Sequence, residues 1–292
     1  MNRHTIIYTS DLHGNEVQYR KVVDYASLVK ASSVIIGGDI APKGMAADQY
    51  ISTQRRFLRK QLPSILQPLK NAGIKVYLMM GNDDCKINLD VLEQESGRSY
   101  FLINNIRLTL TDKFEIIGYS YVPITPFGIK DWEKFDLSAV PEKNHQEYYH
   151  RKKNNYQLEG WKSSRQGWIQ FRFTSEIEPQ DSIQKDLFQT QFRDRPEKTI
   201  YVMHSPPNDT ALDIISSREH VGSIAERLFI EQVQPYLTLH GHIHEAVAMS
   251  GRFRQDIGKT ICLASGNHNV GKNVAILLFD LYHPENVRRV VL

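Results

Sequence analysis

The sequence predicts an α/β protein with a ligand site at the carboxyl ends of its strands. Short apolar runs recur at residues 5–9, 33–36, 74–80, 199–203 and 235–239, several of them separated by stretches with helical spacing. Each run leads into side chains that can bind a metal or take part in hydrogen bonds: Asp11 and His13, Asp39, Asn82 with Asp83 and Asp84, His204, and His242 with His244. In open α/β sheets, ligands gather at that end of the strands. One such pair would carry little weight, but a series of them is hard to explain as decoration.

Composition narrows the choice of class. The chain has 292 residues, 41% hydrophobic and 24% charged, an ordinary globular balance. With 36 basic and 33 acidic residues the net charge is +3, so a nucleic-acid partner is neither required nor excluded. Two cysteines, Cys85 and Cys262, are too few for a disulfide framework and fit a reducing compartment. No apolar run approaches the roughly 18 residues of a membrane span, and no basic-then-apolar leader precedes the first strand, so a soluble cytoplasmic protein is expected. Without internal repeats or low-complexity linkers, the reading is one domain over 1–292 with an insertion at about 122–196. Oligomeric state is not legible.

Taken in order, the first strand, over 4–10, ends at Asp11-Leu-His13-Gly14. Asn15, with Gln18 three residues on, predicts an N-cap and its capping-box partner for a helix over 16–30, with Val22, Ala26 and Val29 on one face. A strand over 33–36 enters Gly37-Gly38-Asp39, where glycine lets the chain turn and bring a carboxylate close. A helical stretch over 46–72 is expected to break at Pro63 and Pro68. The strand over 74–80 ends in Gly81-Asn82-Asp83-Asp84. A short helix near 88–96 follows, then a hairpin of 106–111 with 114–121 that turns at Asp112-Lys113. From 122 to 196 the alternation lapses. Trp132, Trp161, Trp168, the pair Tyr148 and Tyr149 and the basic run Arg151-Lys-Lys153 suit either a loop that binds a phosphorylated ligand or a solvated helix packed by its aromatics. A helix over 182–192 returns the chain to the core.

The strand over 199–203 delivers His204, followed by the rigid turn of Pro206-Pro207. A helix over 219–232 precedes the strand that ends in His240-Gly241-His242-Ile243-His244. In extended backbone, residues two apart point to the same side. That alternation places His242 beside His244 and Asp11 beside His13, and paired imidazoles next to a glycine suit a metal. His240 reads as a core or supporting residue. Strands over 260–264, 274–280 and 287–292 complete the chain.

Together, Asp11-x-His13, Gly38-Asp39, Gly81-Asn82-x-Asp84, His204 and Gly241-His242-x-His244 resemble the calcineurin-like metallophosphoesterases in order and spacing, over about residues 5–118 and 198–282. The segments Ser205-Pro-Pro-Asn-Asp-Thr-Ala-Leu-Asp213, His220-Val-Gly-Ser223 and Thr125-Pro-Phe127 with Asp131-Trp-Glu133 resemble small prokaryotic members. The resemblance implies a four-layer αββα sandwich of two mixed sheets. It implies two divalent transition-metal ions, Mn first and Fe or Zn next. Asp11, His13 and His244 would hold one ion, Asn82, His204 and His242 the other, and Asp39 would bridge them. It implies hydrolysis of a phosphoester by a metal-bridging hydroxide, with a phosphorylated small molecule or nucleotide as substrate. Asn82 and His220 are candidate substrate contacts.

One position departs from the family. Where its members usually carry a histidine that binds phosphate and protonates the leaving group, this chain has Asp83; Asp84 keeps the family's acidic position as a supporting catalytic residue. Divalent cations lower the pKa of a nearby carboxylate, and an ionised Asp83 donates no proton. General acid catalysis contributes about 10²–10⁴-fold, so alkoxide leaving groups should suffer most. Two divalent ions, Asp11, Asp39 and a hydroxide sum to about +1, which Asp83 cancels, disfavouring a dianionic monoester. Phosphodiester or pyrophosphate cleavage therefore ranks first. A protein-binding scaffold of the same fold, or a Ser/Thr protein phosphatase, is the alternative.

Overall fold

A computed structural model describes residues 3–138, 157–174, 181–267 and 271–292. The pair Tyr148 and Tyr149 and the basic run 151–153 lie outside them. Each long apolar run forms a strand whose alternate residues pack on opposite faces, because both faces are covered. In β1 (Thr5–Thr9), Ile7 packs outward against helices while Ile6 and Tyr8 face a second sheet. The first sheet has the order β16-β15-β1-β2-β3-β4, with β2 Ser33–Gly37, β3 Lys75–Met79, β4 Phe101–Leu102, β15 Ala275–Asp280 and β16 His283–Val291. β1 to β4 are parallel and β15 and β16 antiparallel.

The second sheet has the order β13-β14-β12-β11-β6-β5, with β5 Leu108–Thr109, β6 Glu115–Tyr119, β11 Thr199–Met203, β12 Leu237–His240, β13 Arg254–Ile257 and β14 Thr260–Ala264. Its centre is parallel and its two edges antiparallel. Ile6, Tyr8, Ile35 and Met79 of the first sheet meet Ile116, Ile200, Val202, Leu239 and Leu263 of the second in one apolar layer. The outer faces are covered by helices. α1 (Glu16–Leu28) and α3 (Leu62–Asn71) pack on the first sheet, and the short α4 (Leu89–Glu95) follows β3. α5 (Ile183–Leu187) and α7 (Ile224–Val233) pack on the second. The result is the four-layer sandwich of mixed sheets that the motifs implied.

Several local expectations are corrected. The stretch after residue 46 does not break at its prolines. α2 (Ala47–Arg56) runs through a π-helical turn, Phe57–Gln61, into α3. Pro63 then sits in the first turn of α3, where its missing N–H is harmless, and Pro68 lies inside the helix. The wider turn, in which the Leu62 N–H reaches the Phe57 carbonyl, gives the Pro63 ring room. The helix expected over 182–192 is divided into α5 and α6 (Thr190–Arg193). α7 starts at Ile224, not 219, because Ser223 caps it by accepting from the Glu226 N–H at 3.0 Å. Asn15 caps α1 as expected, but the Gln18 side chain turns away to the Asn273 carbonyl.

The described part of 122–196 is not the solvated helix offered as one alternative. It contains an antiparallel hairpin, β9 (Glu159–Ser164) and β10 (Gly167–Arg172), beside the short pair β7 (Val122–Pro123) and β8 (Glu133–Lys134). Asp131 fixes the hairpin to the body, accepting from the Ser163 and Lys86 N–H groups at 2.8 Å each. No helix among the described residues is long and apolar enough to cross a membrane.

Glu226 is a cost inside this frame. It is fully buried, and neither carboxyl oxygen has a hydrogen-bond partner among the described residues. Burial, with Asp136, pushes its carboxyl far above the usual range. Its neighbour His240, 3.8 Å away, is held down to about 4 by burial, so this is a contact of two neutral groups rather than an ion pair. A buried acid whose folded pKa is raised loses stability as pH climbs above its unfolded value, near 4.5. Replacing Glu226 by Leu should therefore raise the melting temperature by several degrees at pH 8 and by less at pH 5, for a gain of about 1–3 kcal/mol. Thermal unfolding at the two pH values checks this, and an equal shift at both would show that the carboxyl's charge is not the source.

Candidate metal centre

The strand ends of both sheets meet at one place, but not by the extended alternation expected of them. β1 stops at Thr9 and β12 at His240, so the paired residues lie beyond the strands. Asp11, His13, Asp39 and His242 all have left-handed backbone, with φ of 59°, 43°, 51° and 64°. Such conformations cost on the order of 1–3 kcal/mol each for non-glycine residues and concentrate at functional sites. Crossed hydrogen bonds hold them. The Asp11 N–H donates to the Gly38 carbonyl at 3.0 Å, the His13 N–H to the Asp39 carbonyl at 2.8 Å, and the His242 N–H to Asp11 Oδ1 at 3.0 Å. Each loop is thus latched to its neighbour.

Asp11, His13, Asp39 and His244 bring one ligand atom each within 4.8 Å of one another. His13 Nε2 lies 3.3 Å from His244 Nε2 and 3.6 Å from Asp39 Oδ2, and His244 Nε2 lies 3.5 Å from Asp11 Oδ1. A second group adjoins it. Asn82 Oδ1 is 3.0 Å from His204 Nε2 and 2.6 Å from His242 Nδ1, and His204 Nε2 is 3.5 Å from the same Asp39 Oδ2. All seven residues singled out as ligands are therefore together, in two sets that share one carboxylate oxygen.

Close approach of backbone makes this possible. A Cβ on Gly81 would lie 2.4 Å from the Asp39 amide nitrogen and 2.6 Å from His204, and one on Gly241 would lie 2.8 Å from Asp11 Oδ2. His204 Nδ1–H donates to the Gly37 carbonyl at 2.8 Å, which turns Nε2 toward Asn82 and Asp39.

The charge pattern calls for a cation. Burial opposes ionisation of Asp11, but His244 and His204 outweigh it, and its carboxyl falls well below the usual range. Asp39 is likewise lowered against burial, by His204 and His13. Burial holds His13 down to about 4 and His242 to about 3. Burial also opposes charge on His204, yet Asp39 and Asp11 push it up to about 9; His244 is raised, against burial, by Asp11. Two buried carboxylates thus demand positive charge, and imidazole nitrogens together with the Asn82 oxygen converge where a divalent ion with mixed N and O ligands would fit.

Asp84 and Asp83 play different parts. Asp84 is fully buried, and its carboxylate accepts from the Ile40, Ala41 and Gly81 N–H groups at 3.0, 2.8 and 2.8 Å. It ties the loop of Asp39 to the loop of Asn82. Burial and Asp39 push its carboxyl up to about 8, against these three donors. The Asp83 N–H donates to Asp39 Oδ1 at 2.8 Å, while its side chain stands at the rim, with burial and Asp39 pushing it up to about 6. Lys43 Nζ lies 3.4 Å from Asp83 Oδ2 and 3.0 Å from His13 Nε2. Gln54 donates to the Asp83 and Pro42 carbonyls and accepts from the Cys85 N–H. Lys43 and Gln54 escaped the sequence reading; a cation shortly after Asp39 was the available signal for the first.

His220 donates through Nδ1 to Asp213 Oδ1 at 2.7 Å. Asp213 also accepts from the Thr210 and Gly222 N–H groups, organising residues 205–223. His240 is buried in the core, donating to the Ser205 carbonyl at 2.8 Å.

No family model and no curated protein matches the chain, but solved structures resemble it in fold. One crystal structure matches with a TM-score of 0.61 at 14% identity, covering 100% of this chain and 99% of that one. A protein of Thermus thermophilus matches with a TM-score of 0.55 at 14% identity, over 99% of both chains. A dimetal phosphatase from Danio rerio matches at 0.48 and 12% identity, over 95% of both. At these identities the likeness shows a shared fold over nearly the whole chain.

If a metal takes the place of protons on these imidazoles, uptake releases protons. His204, raised to about 9, must lose its proton to ligate, so apparent Mn²⁺ affinity should rise from pH 6 to pH 9. Titration calorimetry in two buffers of different ionisation enthalpy would show net proton release at pH 7; identical heats in both buffers would contradict it.

Proposed function

We propose that the protein is a dinuclear metal-dependent phosphoester hydrolase that favours phosphodiester or pyrophosphate links over monoesters. The observation that carries this is the shared Asp39 oxygen, 3.6 Å from His13 Nε2 and 3.5 Å from His204 Nε2. Asp11, His13 and His244 on one side and Asn82, His204 and His242 on the other would each hold one ion, with Asp39 common to both. Bound divalent ions, Mn before Fe or Zn, supply Lewis acidity toward a phosphoryl group and acidify water.

The chain's own residues then set position and selectivity. Asp84 keeps the Asp39 and Asn82 loops in register through three backbone donors. Asn82 Nδ2 donates to Asp83 Oδ1 at 3.2 Å, which leaves its oxygen toward the two histidines. Asp83 stands at the rim, 19% exposed, and offsets the Lys43 ammonium 3.4 Å away, so the rim offers a dianionic monoester no net positive charge. A singly charged diester depends less on such charge. The buried free thiols Cys85 and Cys262 support a reducing, cytoplasmic setting.

With Mn²⁺ added, the protein should cleave bis(4-nitrophenyl) phosphate, and Asp39→Asn should abolish that cleavage, by at least about 10³-fold if the shared carboxylate organises both sets. Metal bound without turnover of any diester or pyrophosphate would shift the reading to a binding scaffold. Asp83→His should raise the rate on 4-nitrophenyl phosphate relative to the diester by tenfold or more, within the roughly 10²–10⁴-fold range of general acid catalysis. An unchanged ratio would refute the assignment of selectivity to this position.

A further inference from the structure

Lys43 occupies a position that the metal-ligand scheme leaves unexplained. A lysine ammonium can only donate, so its contact with His13 Nε2 places the ring's lone pair on that atom, which faces Asp39 and His244, and the proton on Nδ1, 3.7 Å from Asp83 Oδ2. Lys43 Nζ donates to that atom at 3.0 Å and to Asp83 Oδ2 at 3.4 Å. One lone pair cannot serve an ammonium and a metal together. The ammonium's second anchor, Asp83, is not a candidate ligand and remains when Nε2 is taken. The side chain is 37% exposed, and the loop beyond it is open: Gly44 has φ of 82° and nothing within 4 Å of its Cβ position. Lys43 therefore has room to leave His13 while staying on Asp83.

We propose that Lys43 is a substrate-contacting residue of this centre, held by the Asp83 carboxylate so that its N–H groups meet the oxygen that departs from phosphorus. This rests on the phosphoester reading above. In the step, the oxygen of water bonds to phosphorus and its proton passes to solvent. The bond from phosphorus to the departing oxygen breaks, and its electron pair stays on that oxygen. Lys43 stabilises the resulting charge by a hydrogen bond and keeps its proton. A carboxylate stands where a proton donor would otherwise act, and it recruits the donor from a different loop. Charge-assisted hydrogen bonds of this kind are the stronger class, and one donor to a developing oxyanion contributes about 10²–10³-fold to kcat.

The test compares wild type, Lys43→Met and Lys43→Arg with Mn²⁺ on bis(4-nitrophenyl) phosphate and on diphenyl phosphate, whose leaving group is more basic. Lys43→Met should lose about 10²-fold on diphenyl phosphate and roughly tenfold less on the nitrophenyl diester, with Lys43→Arg retaining most of the rate. Calorimetric titration of Mn²⁺ into chelator-stripped protein gives a readout independent of turnover: Lys43→Met should bind Mn²⁺ more tightly than wild type, because the competitor for the His13 lone pair is gone. Equal losses on both diesters, or unchanged Mn²⁺ affinity, would overturn the proposal. Should wild type bind Mn²⁺ and cleave neither diester nor a pyrophosphate link, the phosphoester reading itself fails and the substrate role of Lys43 falls with it.

Discussion

The carboxylate of Asp39 has to satisfy three demands from inside the protein, and the rest of the centre is arranged around them. Oδ1 accepts the Asp83 N–H, while Oδ2 faces His13 on one side and His204 on the other. A carboxylate this deeply buried stays ionised only if cationic groups and donors surround it. The left-handed turn at Asp39 aims it, and Asp84 fixes that turn from below by holding the next two backbone N–H groups. If Asp84 moved, the Asp39 turn and the Asn82 loop would lose their common anchor together.

The position of the centre follows from the packing of the sandwich. β1, β2 and β3 of one sheet deliver Asp11 and His13, Asp39 and Asn82; β11 and β12 of the other deliver His204, His242 and His244. Each candidate ligand set draws on both sheets, so ligand distances depend on how the sheets lie on each other. The apolar layer of Ile6, Tyr8, Ile35, Met79, Val202 and Leu239 fixes that relation. Close-packed interiors resist changes of even a methylene, and backbone hydrogen bonds such as Gly241 N–H to the His204 carbonyl lock the strand ends locally.

Much of this was legible because strands and ligands announce themselves by composition. The runs at 33–36 and 199–203 became β2 and β11 almost residue for residue, and all seven ligand candidates converge. Extended alternation is not the cause of that convergence: Asp11 and His13 both have left-handed backbone, so the rule for strands does not pair them. Type and spacing survive such an error because the short loops keep each side chain beside its strand end, whatever the backbone conformation there. Lys43 was missed for the opposite reason. A lone cation shortly after Asp39 is a faint signal, and only the fold shows that it reaches His13. The β9–β10 hairpin was obscured by its polar and aromatic mixture, which gives neither a clean period of two nor one of 3.6.

Strain and charge in the centre act in the same direction. Four non-glycine residues in left-handed conformations and a fully buried Asp84 whose carboxyl is pushed upward all weigh against folding. Opposing them are hydrogen bonds within each loop and, beyond those, bonds from one loop to the next, such as Ala41 N–H to Asp84 and His242 N–H to Asp11. A ligand that binds the folded form adds its binding free energy to stability, and a cation set between Asp11, Asp39 and their imidazoles would do so where the protein is most strained. The geometry that makes the site costly to fold is also what presents ligand atoms from both sheets to one point.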